Sequence, residues 1–268
     1  MKLLVQADDF GFTKGTTYGT MEGIDHGILT CSGLFTNMPT SEFAAEFIKK
    51  RPDFCFGMDF NITNGPCVSD PADVPHLVDE KGEFIRSGLR IQDPRFESEE
   101  GRREMFPYDE VYHELEAQYE KFRGLTGRKP RYIQSHSLSH ENYLAAIRNF
   151  TREKNLPYAM DVLEKYGFQF YVDYHDNEAT MKKIFDPVAQ INRSPLKMLL
   201  ERRESLARYE YVFIGGHAGY VDADLMKLST CSIERCKDLE LVLSGEVRKW
   251  IEEEEIELIS YDDLEWQS

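Results

Sequence analysis

Acidic and imidazole side chains follow the buried strands that the sequence predicts. Asp8 and Asp9 come directly after the first apolar run, and Asp59 ends a later one. His136 and His217 each follow a further apolar run. In parallel α/β folds the carboxyl ends of the strands meet at one edge of the sheet, so we expect these side chains to lie close together. Carboxylates and imidazoles are typical ligands of a divalent ion that keeps open positions for water and substrate.

The residue types suggest a division of roles within this set. Asp9, Asp59 and His136 are the candidate metal ligands. Side chains on a strand alternate in direction, so one of two adjacent aspartates can bind the ion while its neighbour acts as a base. Asp8 and His217 are then the candidate base and acid. The alternative for Asp8 and Asp9 is an ordinary turn, since Asp and Gly favour turns.

A second histidine, His140, follows His136 at a spacing of four. At a strand end, one of the two could bind the metal while the other caps a helix or binds substrate; both could also be ordinary loop histidines. His217 lies among glycines, which let a backbone or a ligand approach closely. A purely structural histidine is the alternative at that position.

Other catalytic signatures are missing from the sequence. There is no Gly-x-Ser-x-Gly elbow and no His-Glu-x-x-His helix, which disfavours serine hydrolases of that type and zincins. There is also no phosphate-binding loop of the Gly-x-x-x-x-Gly-Lys type and no Gly-x-Gly-x-x-Gly fingerprint. P-loop enzymes and dinucleotide-dependent dehydrogenases are therefore disfavoured as well.

Strand-like and helix-like segments alternate along the chain of 268 residues. Strands are predicted at 3–7, 28–36, 54–60, 131–135, 168–172, 211–215 and 256–260. Helices are predicted at 17–26, 40–50, 108–126, 142–154, 177–185, 195–207 and 233–254. This alternation predicts parallel strands with right-handed crossovers, in a single-domain α/β fold that forms an incomplete (β/α) barrel. The proline-rich segment 61–107 is a long irregular insertion, either functional or a tolerated surface excursion.

Composition excludes several classes of partner. The formal charge of −16 argues against nucleic acid, because a chain of this charge repels polyanions. The five cysteines form no Cys-x-x-Cys pair, which fits reduced thiols in a cytoplasm. No apolar run approaches the roughly 20 residues that span a bilayer, and the first residues are too short for a signal-peptide core. We expect a soluble cytoplasmic protein with no membrane partner.

Several motifs point to one family. The segment 7–15 is Ala-Asp-Asp-Phe-Gly-Phe-Thr-Lys-Gly, and matching stretches follow at 27–32, 57–65, 114–118, 135–140 and 217–220. In these motifs and their order, over nearly the whole chain, the sequence resembles the YdjC/ChbG-like carbohydrate deacetylases. The resemblance implies an incomplete barrel of the glycoside hydrolase/deacetylase type and removal of the N-acetyl group from short chitin fragments or their 6-phosphates.

The resemblance also implies a cofactor, an assembly and roles for individual residues. The cofactor would be one divalent metal, Mg²⁺ first, with Mn²⁺ or Zn²⁺ as alternatives, and the assembly a homodimer that acts on a small oligosaccharide. By the same resemblance, Asp9 and His136 would be metal ligands, Asp8 the base and His217 the acid.

Three positions depart from the family pattern. The family usually has His where Asp59 stands, as the third ligand; Asp where Gln134 stands; and Cys-His-Pro in place of the segment 216–218. Asp59 would add negative charge at the ion, which favours Mg²⁺ or Mn²⁺ and raises the pKa of bound water. Gln134 cannot act as a charged orienting partner of His136, which would then be less basic. Gln134 and His140 are the candidate supporting or substrate-binding residues.

Two further functions stay open beside the metal-dependent amidohydrolase. The departures from the family pattern favour a non-catalytic sugar-binding or regulatory protein on the same fold. A metal-dependent glycosidase would need two carboxylates on either side of a glycosidic bond, and Asp8 and Asp9 are too close in sequence to flank one readily.

Overall fold

One parallel sheet forms the centre of the molecule in the computed structural model, which describes residues 1–138, 140–171 and 184–266. Within that part of the chain its strands are β1 (Lys2–Phe10), β2 (Cys31–Leu34), β3 (Cys55–Phe60), β4 (Ile133–Ser135), β5 (Gln169–Phe170), β6 (Tyr211–Gly216) and β7 (Glu257–Ile259). The order across the sheet is β4-β3-β2-β1-β6-β5, and β7 pairs with the first half of β1. All of these pairs are parallel. The predicted α/β class and the incomplete (β/α) barrel are confirmed.

Helices connect the strands on the outside of the sheet. In the described residues they are α1 (Lys14–His26), α2 (Ser41–Lys49), α3 (Ser87–Gln92), α4 (Glu99–Met105), α5 (Tyr108–Thr126), α6 (Glu141–Lys154), α7 (Ala159–Lys165), α8 (Pro187–Asn192), α9 (Pro195–Leu206), α10 (Leu225–Leu228), α11 (Glu234–Leu243) and α12 (Gly245–Glu253). The long amphipathic helix α5 has the bounds that the apolar periodicity predicts. None of these helices is long and apolar enough to cross a membrane.

The helix predicted at 233–254 is two helices. The chain leaves the helical conformation at Ser244, and the Ser244 side chain accepts a hydrogen bond from the backbone N–H of Val247. Serine is a favoured N-cap because its oxygen satisfies a free N–H of the first turn, so a new helix begins there. Most of the helix predicted at 177–185 lies outside the described residues.

The central strand β1 is buried on both faces, and each face has a different partner. Leu3 and Val5 face outward and pack against the helices, in a cluster that includes Trp250 of α12. Leu4 faces the barrel interior and packs with residues such as Tyr132 and Tyr261. A strand covered on both faces is predominantly apolar, as Leu3, Leu4, Val5 and Ala7 are here. Gln6 is a buried polar residue among them, and Asp8 and Asp9 follow at the carboxyl end, where the barrel opens.

A buried carboxylate holds the segment 61–107 against the barrel. Glu114 of α5 accepts hydrogen bonds from the backbone N–H of Val68 at 2.9 Å and of Ser69 at 3.0 Å. It also accepts one from the Gln118 amide at 2.8 Å, and it is fully buried. The prediction that this segment is irregular is wrong for part of it, because it contains the short helices α3 and α4. One side chain thus satisfies backbone donors that would otherwise be buried without partners.

We expect Glu114→Ala to lower the free energy of unfolding by about 3 kcal/mol, because it leaves several buried N–H groups without an acceptor. Urea denaturation measures this. The matched control is Glu116→Ala on the exposed side of the same helix, where only a surface pair with Lys154 is lost. That control should change stability by less than about 1 kcal/mol. Equal effects of the two variants would show that Glu114 does not anchor the segment.

Candidate active site

The chain turns sharply at Asp9, at the carboxyl end of β1. Asp9 has a positive φ of 66°, and Gly11 follows with a φ of 85°. The pairing of β1 with β2 shifts between Ala7 and Phe10 at the same point. A residue other than glycine in the left-handed region costs about 1 kcal/mol or more and persists only where its surroundings hold it. Asp8 and Asp9 therefore do not simply alternate like residues of a regular strand.

The Asp9 carboxylate is the meeting point of the site. His136 Nδ1 lies 3.0 Å from its Oδ1, and Arg235 Nη2 donates a hydrogen bond of 2.6 Å to its Oδ2. His217 Nε2 lies 3.9 Å from Oδ2. The side chain is completely buried. Burial by itself raises the pKa of Asp9, but His136 and Arg235 outweigh it and hold that pKa far below its usual range.

Arg235 is a member of the site that sequence reasoning did not find. It lies on α11, is 2% exposed, and its guanidinium lies 5.4 Å from the centre of the Phe12 ring. Its Nε donates to the carbonyl of Cys231 at 2.9 Å. Its Nη1 has no hydrogen-bond partner among the residues that the structure describes. A buried arginine of this kind is stable only beside a buried anion, and Asp9 is that anion.

Asp8 is held from inside the barrel. The Gln6 side-chain amide donates a hydrogen bond of 2.5 Å to Asp8 Oδ1. Tyr261 in turn donates to Gln6 Oε1 at 2.7 Å, which orients that amide. Burial, together with the negative charge of Asp9, raises the pKa of Asp8 to about 7. A carboxyl with this pKa exchanges protons near neutral pH, as a general base must.

Asp59 faces the backbone of Asp9. Its Oδ2 accepts a hydrogen bond of 2.6 Å from the Asp9 N–H. Its Oδ1 lies against Gly33 of β2, where an added Cβ would come within 1.8 Å of it. Burial, reinforced by Asp8 and Asp9, raises the pKa of Asp59 well above its ordinary value. Oδ1 is buried and has no hydrogen-bond partner within the described ranges.

The two residues predicted to support His136 lie in different surroundings. Gln134 pairs in register with Asp59, and its Oε1 is buried without a partner in the described part of the chain. His140 is the N-cap of α6: its Nδ1 accepts from the Tyr143 N–H at 3.4 Å, and its ring stacks on Phe106 at 3.8 Å. His140 therefore takes the capping role that the sequence left open.

His217 is fixed through its backbone. Its N–H donates to Asp238 Oδ2 at 2.8 Å, and Asp238 is itself paired with Arg193 at 2.8 Å. Burial is the main influence on the imidazole and lowers the pKa of His217 to about 4, against the opposing effect of Asp9. The side chain is therefore neutral at neutral pH.

Two of the three predicted metal ligands meet in a way that suits a divalent ion. Neighbouring donors around an octahedral ion with bonds of about 2.1 Å lie about 3 Å apart. Asp9 Oδ1 and His136 Nδ1 are 3.0 Å apart, and within the described residues Asp9 Oδ1 has no hydrogen-bond partner. Mg²⁺ is often held by only one or two protein carboxylates together with waters and substrate. This pair therefore fits such an ion.

A complete three-residue site is not formed. Across residues 1–138, 140–171 and 184–266, no three His, Cys, Asp or Glu side chains are grouped so that they could hold a metal. The structure brings Asp8, Asp9, Asp59, His136 and His217 to one end of the barrel, as predicted from the strand ends. The assignment of Asp59 as third ligand stays a prediction.

Known proteins resemble this chain over nearly its whole length. The family model described as YdjC-like protein matches residues 2–253. Carbohydrate deacetylase 2 of Listeria innocua is 32% identical, covering 98% of this chain and 99% of its own. Chitooligosaccharide deacetylase of Proteus mirabilis is 28% identical, covering 98% of each chain.

A solved structure shares the fold. It comes from Enterococcus faecalis and is described as a candidate cellobiose-phosphate cleavage protein. It superposes with a TM-score of 0.76 over 98% of each chain, at 24% identity.

The capping histidine predicts a pH dependence of stability. Burial lowers the pKa of His140 from 6.5 to about 3, so the folded chain resists protonation that the unfolded chain accepts. Its contribution is complete above pH 6.5 and is lost as the pH falls from there towards 3. At pH 5 the loss is on the order of 1–2 kcal/mol.

We expect His140→Asn, which keeps a favourable N-cap, to flatten this decline in urea unfolding curves measured between pH 7 and pH 4.5. The exposed His113 provides the control, and His113→Asn should leave the slope as it is in the wild type. An unchanged slope in His140→Asn would mean that other groups cause the acid sensitivity.

Proposed function

The chain belongs to the YdjC-like family, and from this premise we propose that it hydrolyses the N-acetyl group of a short amino-sugar oligosaccharide. The substrate would be diacetylchitobiose or its 6-phosphate, and acetate would be released. One observation carries the proposal: Asp8, Asp9, His136 and His217 converge at the open end of the barrel. The names of the full-length relatives support deacetylation of a carbohydrate.

Amide hydrolysis needs a group that takes a proton from the attacking water. Asp8 is suited to this, because burial and Asp9 bring its pKa to about 7. The Gln6 amide, donating at 2.5 Å, leaves Asp8 only limited freedom to rotate. A fixed carboxylate that ionises near the working pH combines correct placement with a favourable protonation state.

We assign the holding of a divalent cation to Asp9 and His136. When bound, such an ion would polarise the acetamide carbonyl and increase the acidity of water. Arg235 keeps Asp9 ionised and in place through the 2.6 Å hydrogen bond to Oδ2, which leaves Oδ1 directed towards His136. Mg²⁺ is the ion we propose first, with Mn²⁺ or Zn²⁺ as alternatives.

His217 is the residue that we assign to protonate the leaving amine. Its backbone bond to Asp238 places it beside Asp9. Because its pKa is about 4, it is neutral at rest. The proton that it gives to the amine would therefore be the one that Asp8 takes from the attacking water, passed on to His217 before the C–N bond breaks. The homodimer and the cytoplasmic location stay predictions.

A non-catalytic sugar-binding protein is the second candidate. Two observations favour it. The Asp59 carboxyl contacts the Asp9 backbone. Among the described residues, no three metal-binding side chains are grouped so that they could hold an ion. On this alternative the barrel end would bind the same amino sugar and release no acetate.

We expect acetate release from diacetylchitobiose or its 6-phosphate by metal-stripped protein, once Mg²⁺, Mn²⁺ or Zn²⁺ is added back. Asp8→Asn should lower kcat by about 10²–10⁴-fold, because the proton acceptor is lost. The control is Asp53→Asn, a change of an exposed aspartate away from the barrel end that should keep full activity. An enzyme-coupled acetate assay measures both.

Folded wild-type protein that releases no acetate with any of these ions would contradict the proposed function. Calorimetric titration with the same two sugars would then separate the candidates. Sugar binding without turnover supports the non-catalytic protein.

A further inference from the structure

Asp59 is a predicted metal ligand, but its carboxyl group contacts the backbone of Asp9 and lies against Gly33. Oδ2 accepts the Asp9 N–H at 2.6 Å. An ideal Cβ on Gly33 would lie 1.8 Å from Oδ1, 2.3 Å from Cγ and 2.8 Å from Oδ2. The whole carboxyl group therefore occupies the space that a side chain at position 33 would fill.

The sheet order shows which way the group leans. β3, which carries Asp59, lies between β2 and β4. Gly33 is on β2 and Asp9 is on β1 beyond it, whereas His136 follows β4 on the opposite side. The carboxyl group of Asp59 leans over β2 towards β1, away from the strand that leads to His136.

Asp9 needs such a contact. It has a φ of 66° at the point where the pairing of β1 and β2 shifts, and its amide donates to the Asp59 side chain. Its N–H is buried and must find an acceptor. The direction of the Asp9 side chain follows from this backbone conformation, and so do the contacts of its carboxylate with His136 and Arg235.

We propose that Asp59 is a positioning residue: it accepts the Asp9 N–H, fixes the left-handed turn, and thereby aims the Asp9 carboxylate at His136 without itself binding the metal. The role depends on an acceptor oxygen and not on a negative charge. Gly33 is required because any side chain there would displace the Asp59 carboxyl. The part of this inference that concerns the metal rests on the proposed function; the hydrogen bond to Asp9 does not.

Two variants of similar shape distinguish whether Asp59 acts as a hydrogen-bond acceptor or as a metal ligand. Asp59→Asn keeps an oxygen at the tip, whereas Asp59→Leu keeps the branched shape and has no acceptor. Amide hydrogen exchange of Asp9, measured by NMR on the full chain, should stay within about threefold of wild type in Asp59→Asn. In Asp59→Leu it should become at least about tenfold faster, since the bond that protects the amide is lost.

Mn²⁺ titration of the same proteins, followed by electron paramagnetic resonance, provides the second readout. Asp59→Asn should bind Mn²⁺ within about threefold of wild type, whereas Asp9→Asn should lose at least about tenfold, as expected for loss of a carboxylate ligand. Asp59→Leu should also bind more weakly, because Asp9 is no longer held; supporting residues of this kind typically contribute about 10–100-fold in metal affinity.

The Mn²⁺ titration tests whether Asp59 is a metal ligand, and the amide exchange tests whether it positions Asp9. If Asp59→Asn loses Mn²⁺ as Asp9→Asn does, Asp59 is a ligand and the inference fails. If Asp9 exchange is unchanged in Asp59→Leu, or if that variant fails to fold while Asp59→Asn exposes the amide, the positioning role is wrong. Should wild type bind no Mn²⁺, that result counts against the proposed cation, and the exchange data alone decide the role of Asp59.

Discussion

A fully buried carboxylate must be stabilised by charges and donors from within the protein, and in this molecule that carboxylate is Asp9. Arg235 reaches it from α11, His136 from the end of β4, and His217 from the end of β6. Removing one partner of a buried ion pair typically costs about 3–5 kcal/mol, because the other charge is left uncompensated. The position of one side chain therefore connects the first strand to segments that are far away in sequence.

The barrel prepares this burial by its own packing. Leu4, Gln6 and Asp8 occupy every second position of β1 and face the barrel interior. The interior changes along them from an apolar layer to a polar one. Tyr261 packs in the apolar layer and also donates to Gln6, so the same aromatic residue fills the interior and orients the amide that binds Asp8. The residues that fill the barrel thus also hold the residues at its open end, so the stability of the interior and the placement of the site depend on the same side chains.

The sequence predicts the parts of the site that depend on strand ends. Asp8, Asp9, Asp59, His136 and His217 are predicted to lie together because parallel strands bring their carboxyl ends to one edge, and the structure places them there. Arg235 could not be predicted in this way, because its helix is separated from Asp9 by most of the chain and its segment has the composition of an ordinary charged surface helix. The contact of Asp59 with the Asp9 N–H depends on the left-handed backbone conformation of Asp9. Neither composition nor periodicity reveals that a single aspartate has a positive φ.

The effect of an aspartate at position 59 on the charge of the site also depends on burial. From sequence alone, Asp59 should add a negative charge beside the ion and raise the pKa of bound water. In the structure, burial together with Asp8 and Asp9 raises the pKa of Asp59 well above its ordinary value, which favours the protonated form. Arg235 and His136 hold the pKa of Asp9 low, so two buried aspartates joined by a hydrogen bond differ in how readily they ionise. On the role proposed for Asp59, what the fold requires at this position is a hydrogen-bond acceptor, and an aspartate provides an acceptor oxygen whether or not it is protonated.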